Sequence, residues 1–494
     1  MMKRNRFIAF FLAFLAIAPA VARDVLPVTG SWINLFYQDE RNKYSNPMDM
    51  DNTDPVMWRA KVREMKALGI EYIVFMATAN DGKADYPSKL MPLAYDSSRE
   101  SPVSAIIDEA AREGMKVFMS IGWAENQDDN LRNPAILNRQ LAIMEELAGL
   151  YGSSDAFYGW YLPVEDCLGP VLTDAAVVAV NKLVERAHKL TPGKKTLISP
   201  YGFFCCRFDD PNFAKQIMRL KVDIIAYQDE VGCVREEFPM PRLKNAWREM
   251  KKIHDRTNIE FWGNCELFSW EKGTNSRQSA LVPAAMPRVL SQLAAATEGG
   301  VSRMISFMTP GIWSVNADRF PLGQPEVSER AAQEYLAWRN GDRTLKLLEK
   351  SLTGTLGSNT AAIASVAVKN GDATFLTDGI TGDENPENAA WKRFEAGYNE
   401  ITVNLGKADT GSIFMRLLNC AKRGIGVPYK VYIYTAGDDG NYSLAQIKEM
   451  AQHPNSLHDT WIEPLLIEWS TSVKSIKIGF QSTTPLLIDE LYLK

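Results

Sequence analysis

The sequence predicts an α/β protein: a closed (β/α)8 barrel of the TIM type, followed by an antiparallel β-sandwich. Three observations carry that expectation. Between about residues 28 and 308, β-branched and aromatic runs alternate with amphipathic stretches through eight strand-then-helix units. Each run is almost continuously apolar, as strands are when helices cover a parallel sheet. From about residue 343 the texture changes to short alternating runs rich in Thr, Val, Ser, Gly and Asp, the spacing of an antiparallel sandwich.

Taken in order, Val28 to Phe36 is the first strand, and Trp58, Val62, Met65 and Leu68 space a helix that Gly69 stops. Ile70 to Met76 is the second strand, Ser104 to Gly114 a short helix, and Lys116 to Trp123 the third strand. Pro134 to Tyr151 is a long helix before the fourth strand, Phe157 to Val164, which ends abruptly in Glu165 and Asp166. The helices Thr173 to Leu190, Asn212 to Leu220, Leu243 to Thr257 and Pro283 to Glu298 then alternate with four further strands. These are Thr196 to Gly202, Val222 to Asp229, Ile259 to Glu266 and Val301 to Met308. An open doubly wound sheet would lead from its first strand into a Gly-rich phosphate loop, and Phe36-Tyr37-Gln38-Asp39-Glu40 is not one. The barrel is therefore assigned residues 23–342 and the sandwich 343–494, where Glu400 to Leu405, Lys430 to Tyr434 and Pro485 to Leu493 read as strands.

Residues 1–22 read as a secretory signal peptide, with Lys3, Arg4 and Arg6, an apolar run from Phe7 to Ala18, and the small-x-small site Ala20-Val21-Ala22. The apolar core is shorter than the ~20 residues a membrane span needs. No Cys follows the cleavage point, so the expected location is the periplasm or the medium rather than a lipid anchor. Cleavage leaves the mature chain three charges more negative than the −5 of the full chain, a balance that argues against a nucleic-acid partner. Six cysteines in 494 residues are no disulfide scaffold, and their pairing stays open. The four histidines lie away from the proposed strand ends, against a His-ligated zinc hydrolase. A monomer without a catalytic cofactor is expected.

Chemistry in such a barrel sits at the carboxyl ends of the strands. Side chains alternate along a strand, so Tyr161, Pro163 and Glu165 share a face of the fourth, Ile225, Tyr227 and Asp229 a face of the sixth, and Trp262, Asn264 and Glu266 a face of the seventh. The fourth and seventh strands stand nearly opposite each other. Two carboxylates facing across the mouth suit glycoside hydrolysis, in which one protonates the departing oxygen and the other attacks or activates water. Gln228 and Asn264 are candidates to hold sugar hydroxyls. Trp32, Trp123, Trp262 and Trp313 read either as a sugar subsite or as core, and Cys265 reads as buried packing.

The motifs Gly159-Trp160-Tyr161-Leu162-Pro163-Val164-Glu165, Asp223 to Cys233 and Trp262-Gly263-Asn264-Cys265-Glu266-Leu267-Phe268 resemble secreted bacterial barrels classed as glycoside-hydrolase-like and common in glycan-degrading gut bacteria. More broadly they resemble the clan of retaining (β/α)8 glycoside hydrolases. That resemblance implies Glu165 as acid/base, Glu266 as nucleophile, and Tyr227 hydrogen-bonded to the nucleophile. The clan has Asn before its acid/base Glu, where this chain has Val164. A barrel that binds carbohydrate without cleaving it is the alternative function, and a Glu165 with Asp229 pairing also stays open. Carboxyls ~5 Å apart imply retention, and ~6.5 to 9.5 Å inversion. Leu376 to Gly379, Trp391 to Phe394 and Tyr434 to Gly440 resemble discoidin-type, galactose-binding-like sandwiches. Such modules often hold a structural calcium, for which Asp378, Asp383 and Glu490 offer hard oxygen ligands; solvated loop residues are the favoured reading of the same acids.

Overall fold

The computed structural model describes residues 24–35, 51–123, 125, 133–164, 168, 172–203, 206–208, 210–232, 240–270, 281–315, 325–342, 363–368, 371–450 and 460–493. Eight parallel strands close a barrel: β1 (Val28–Ile33), β2 (Tyr72–Phe75), β3 (Lys116–Ser120), β4 (Phe157–Tyr161), β5 (Lys195–Ile198), β6 (Ile224–Gln228), β7 (Glu260–Glu266) and β8 (Arg303–Phe307). Their order around the barrel follows the chain, and β8 pairs with β1 to close it. The helices between them are α1 (Pro55–Ala67), α2 (Pro102–Arg112), α3 (Pro134–Tyr151), α4 (Asp174–Leu190), α5 (Pro211–Arg219), α6 (Met240–His254) and α7 (Met286–Gly299), and α8 (Pro325–Arg339) follows β8.

The helix starts are written in the sequence. Asp54, Ser101, Asn133 and Asp210 each precede a proline, and each side chain accepts a backbone N–H of the first turn. A short acceptor satisfies an orphan donor there, and proline costs nothing at a position whose N–H has no partner. Thr173 caps α4 in the same way, accepting from the N–H of Ala176. The seventh helix starts later than its apolar run suggested, because Leu281–Pro283 pairs antiparallel with Phe268–Trp270 as a hairpin extending β7. A second small hairpin, Ala79–Asn80 with Lys83–Ala84, follows β2. Alternation with period 2 over two or three residues is too brief to register in the sequence.

The barrel interior is filled from below. Trp262 of β7 meets Tyr72 of β2 at 5.3 Å and Phe118 of β3 at 6.0 Å between ring centroids, contacts that cross the barrel axis. Arg303 of β8 lies over both Tyr72 and Trp262. Gly30 of β1 makes room for this layer, since a Cβ there would stand 2.3 Å from Ile305 Cγ2 and 3.2 Å from Tyr72 Cβ. Gly30→Ala is expected to cost about 1–3 kcal/mol by overpacking a filled core, read as a lower midpoint in urea with an unchanged slope.

Beyond α8 the described chain forms an antiparallel sheet that curls on itself, built from β9 (Ile363–Val368), β10 (Gly397–Cys420), β11 (Lys430–Ala436), β12 (Ser443–Glu449), β13 (Thr460–Ser482) and β14 (Leu486–Leu493). The long β10 pairs with β9 through Ile401 to Leu405 and with β14 through Ile413 to Leu418, so one strand serves both halves. Ile401, Val403, Ile413, Leu417, Ile478 and Ile488 share one core. Asp489, fully buried, is held by Arg416 at 2.7 Å and by the Gly382 N–H at 2.7 Å. Where α6 meets this sheet, the buried Arg242 lies 5.8 Å from the Trp461 ring.

Candidate active site

Which side chains reach the mouth follows from the barrel layers. Trp262 lies inside, so Asn264 and Glu266 lie inside too, and Glu266 stands four residues, ~13 Å, further toward the carboxyl end. Glu266 is level with Phe307 of β8. Trp32 of β1 also points inward, meeting Tyr161 of β4 edge to face at 5.7 Å. By the same alternation Asn34, just past β1, faces the rim.

These inward groups share one chemical feature. Asn34 Oδ1, Asn264 Oδ1 and Glu266 Oε2 are buried oxygens with no hydrogen-bond partner among the described residues. A buried polar atom left this way costs about 1–3 kcal/mol, and such orphans call for a functional account. Below them Ser199, at the end of β5, ties two amides together: Asn264 Nδ2 donates to its Oγ at 3.2 Å, and Gln228 Nε2 to its carbonyl at 2.9 Å. An amide N–H of Asn264 and one of Gln228 are thus both occupied by Ser199.

Glu266 is 6% exposed. Burial raises its pKa well above the usual carboxylate range, and the neighbouring Asp229 and Glu230 push it further; Arg288 opposes them. Asp229, fully buried, is raised by burial as well. Asp229 Oδ1 accepts the Glu266 N–H at 3.1 Å, and its Oδ2 accepts Gln292 Nε2 from α7 at 2.8 Å. Gln292 also donates to the Glu266 carbonyl at 3.2 Å, as Arg288 of the same helix does at 3.1 Å. Glu230 is buried in the left-handed region at φ 53°, its Oε2 accepting the N–H groups of Gly202 and Phe203 at 3.0 and 2.5 Å. Three carboxyls therefore surround the backbone end of β7, which favours keeping a proton among them.

The other expected site residues fall in several places. Glu165 lies outside the described residues. Tyr227 does share a face with Asp229, but it is the outer face: its hydroxyl meets His254 Nε2 of α6 at 2.8 Å, among Phe203 and Phe261. Burial holds the His254 pKa down to about 4, so the ring is neutral, and its Nδ1 faces the Ile259 carbonyl at 3.1 Å. Nε2 is left to accept from Tyr227. Tyr227→Phe strands that nitrogen and is expected to cost about 1–2 kcal/mol of stability, measured by denaturation. Trp262 closes the lower barrel, with its Nε1 on Glu260 at 3.2 Å, and does not reach the rim. Trp123 is buried with its indole N–H toward the Pro163 carbonyl at 3.5 Å. Trp313 stacks on Tyr335 of α8 at 4.3 Å. Cys265 is a buried thiol with its pKa pushed up by burial, as packing requires.

In the curled sheet, Glu490 Oε2 accepts the Gly379 N–H at 3.1 Å, and burial with the nearby Asp378 raises its pKa to about 7. Asp383 Oδ1 is taken up by the Asn385 N–H and Asn388 Nδ2, each at 3.1 Å. Among the described residues no group of three or more His, Cys, Asp or Glu is arranged to hold a metal ion. No helix among them is long and apolar enough to cross a membrane.

Asn34, Ser199, Glu230, Arg288 and Gln292 were not singled out from the sequence. Asn34 could have been, since it stands two residues past Trp32 on the same face. Arg288 and Gln292 also carry a signal, as polar residues at i and i+4 in the largely apolar first half of their helix.

Residues 28–317 match the profile of a family described as a domain of unknown function (DUF4434). A solved structure from Bacteroides thetaiotaomicron VPI-5482, provisionally named an alpha-L-fucosidase, superposes with a TM-score of 0.51 at 18% identity, over 68% of this chain and 99% of that one. A glycoside hydrolase family 5 protein from Bacteroides vulgatus ATCC 8482 aligns over 87% of this chain and 86% of its own at 11% identity and a TM-score of 0.35. A GH29 fucosidase from Ruminococcus gnavus, solved with fucose, aligns over 96% of each chain at 13% identity and a TM-score of 0.34. At these identities the likeness is one of fold alone, and the two lower scores carry no argument. No curated protein matches the chain.

Proposed function

Since the chain belongs to the family described as a domain of unknown function (DUF4434), we propose that its barrel is a glycoside hydrolase acting through Glu266 and Glu165. The observation that carries this reading is the set of buried oxygens at Asn34, Asn264 and Glu266 that lack a partner among the described residues. Sugar hydroxyls donate to Asn34 Oδ1 and Asn264 Oδ1, and Glu266 Oε2, when it carries a proton, donates to a sugar or glycosidic oxygen. The fold of a glycoside-hydrolase-like barrel is consistent with it.

In this reading Glu266 holds the proton. Its burial beside Asp229 and Glu230 favours the neutral acid, the form that donates to a leaving group, whereas the resemblance of the strand motifs would make it the nucleophile. Glu266 delivers its proton to the glycosidic oxygen, the bond from that oxygen to the anomeric carbon breaks with its electron pair going to oxygen, and the Glu165 carboxylate attacks that carbon or activates water. Asn264 and Gln228 orient the sugar. We assign the reaction to an exported enzyme on the strength of residues 3–22.

The test is a panel of aryl glycosides and neutral oligosaccharides, with the anomeric configuration of the first product read by NMR. Hydrolysis that survives Glu266→Gln at near parental rate sinks the assignment. Tight binding without turnover by the parent chain would leave a non-catalytic carbohydrate-binding barrel. If the reaction is retaining, azide separates the two roles. With Glu266→Ala an acid role gives a glycosyl azide of the substrate's configuration, and a nucleophile role gives the inverted one.

A further inference from the structure

The turn that follows β6 wraps the end of β7. Asp229 Oδ1 accepts the Glu266 N–H at 3.1 Å and the Val231 N–H at 3.4 Å. Glu230, at φ 53°, is buried and anchored through its Oε2 to the Gly202 and Phe203 N–H groups beyond β5. A non-glycine residue in the left-handed region persists where its surroundings over-determine it, and such residues gather at functional sites. Two residues further on, the Gly232 N–H donates to the Glu266 carboxyl.

That bond makes the two oxygens of Glu266 different. Oε2 has no hydrogen-bond partner among the described residues, so the bond from Gly232 falls on Oε1. A neutral carboxyl accepts best through its carbonyl oxygen and carries its proton on the other. The proton of Glu266 is therefore placed on Oε2, the oxygen left for a ligand.

Position 232 has no room for a side chain. A Cβ there would stand 2.3 Å from the Phe268 carbonyl oxygen, 3.3 Å from Arg288 Nη1 and 3.4 Å from Glu266 Cβ. The Phe268 oxygen belongs to the backbone of the hairpin that extends β7, and Arg288 Nη2 holds it at 2.6 Å. Glycine serves close approach here.

We infer that Gly232 is a positioning residue of the proposed reaction: its N–H occupies Oε1 of Glu266 and so presents Oε2 as the reacting oxygen. The chemistry of this role rests on Glu266 being the reacting acid of the proposed function, and its geometry rests on the turn alone. The charged groups facing Glu266 are Asp229 and Glu230 of the same turn and Arg288 of α7. Against that background a bond from an N–H favours the charged carboxylate. Its loss should let Glu266 keep its proton to higher pH.

Two measurements on the full chain test this, and the first needs no turnover. Hydrogen exchange, resolved to single amides by electron-transfer fragmentation, is read on the parent, Glu266→Gln and Glu266→Ala. Glutamine keeps an acceptor oxygen, so the Gly232 N–H should exchange as in the parent there, and about tenfold faster in Glu266→Ala. The Val231 N–H, held by Asp229, is the internal reference and should not change. Equal Gly232 rates in the parent and Glu266→Ala, or the same acceleration at Val231, overturns the proposal, and this result decides it where Gly232→Ala does not fold. The second measurement is Gly232→Ala acting on a glycoside that the parent cleaves. There kcat is expected to fall about 10²-fold, as when a reacting group is misplaced by ~1 Å, with KM near parental and the basic limb of the kcat profile moved to higher pH. Parental kcat, or a lower kcat with that limb unmoved, overturns the proposal. A parent that cleaves no glycoside sinks the proposed function instead, and hydrogen exchange alone then decides the placement of Gly232 against Glu266.

Discussion

The Glu266→Gln variant is expected to lose about 10²- to 10⁴-fold in glycan turnover, the usual contribution of a positioned acid, while becoming more stable than the parent near neutral pH. The two effects have one cause. The folded protein raises the proton affinity of Glu266 well above its ordinary value of 4.5 through burial, Asp229 and Glu230. Between that value and the raised one, the folded state binds a proton that the unfolded state has released. Stability therefore falls as pH rises through this window, by up to about 1.4 kcal/mol per pH unit for one such group. Glutamine carries no titrating proton, so the variant lacks that decline. Melting temperatures of parent and variant from pH 4 to 8 check it: the curves should meet at the acid end and separate upward, and parallel curves would show that Glu266 titrates normally.

Asp229→Ala should be the most damaging change to the scaffold of the site, costing about 2–4 kcal/mol. It leaves the buried Glu266 N–H without its acceptor, at about 1–3 kcal/mol, and removes one of the two bonds that Gln292 Nε2 makes, the other going to the Glu266 carbonyl. It also removes a negative neighbour of Glu266, so the pH window of the parent moves down. Urea denaturation measures the first effect and the pH dependence of melting the second. A loss of stability with the pH window unmoved would confine Asp229 to holding the backbone of β7.

Much of the architecture was legible because local chemistry repeats it. Asx-Pro and Ser-Pro pairs mark the starts of α1, α2, α3 and α5, and apolar runs mark the eight strands. The site was legible only in part. Counting by twos correctly put Asn264 and Glu266 together, and Tyr227 with Asp229. It could not say which face of β6 lines the axis, because strands of a covered parallel barrel are apolar on both sides. Tyr227 accordingly points to His254 and not to the mouth. A shift of register between β3 and β4 beside Tyr158 is likewise invisible in residue types.

The sequence by itself determined the order of strands and helices, the curled sheet that follows, and an acid at the end of β7, since each rests on local periodicity and capping. The tertiary structure decided the rest. Asp229, Glu230, Arg288 and Gln292 come from β6, its following turn and α7, and only closure of the barrel brings them around Glu266. There burial and like charge, which depend on neighbours in space rather than in the chain, raise the proton affinity of an ordinary carboxylate.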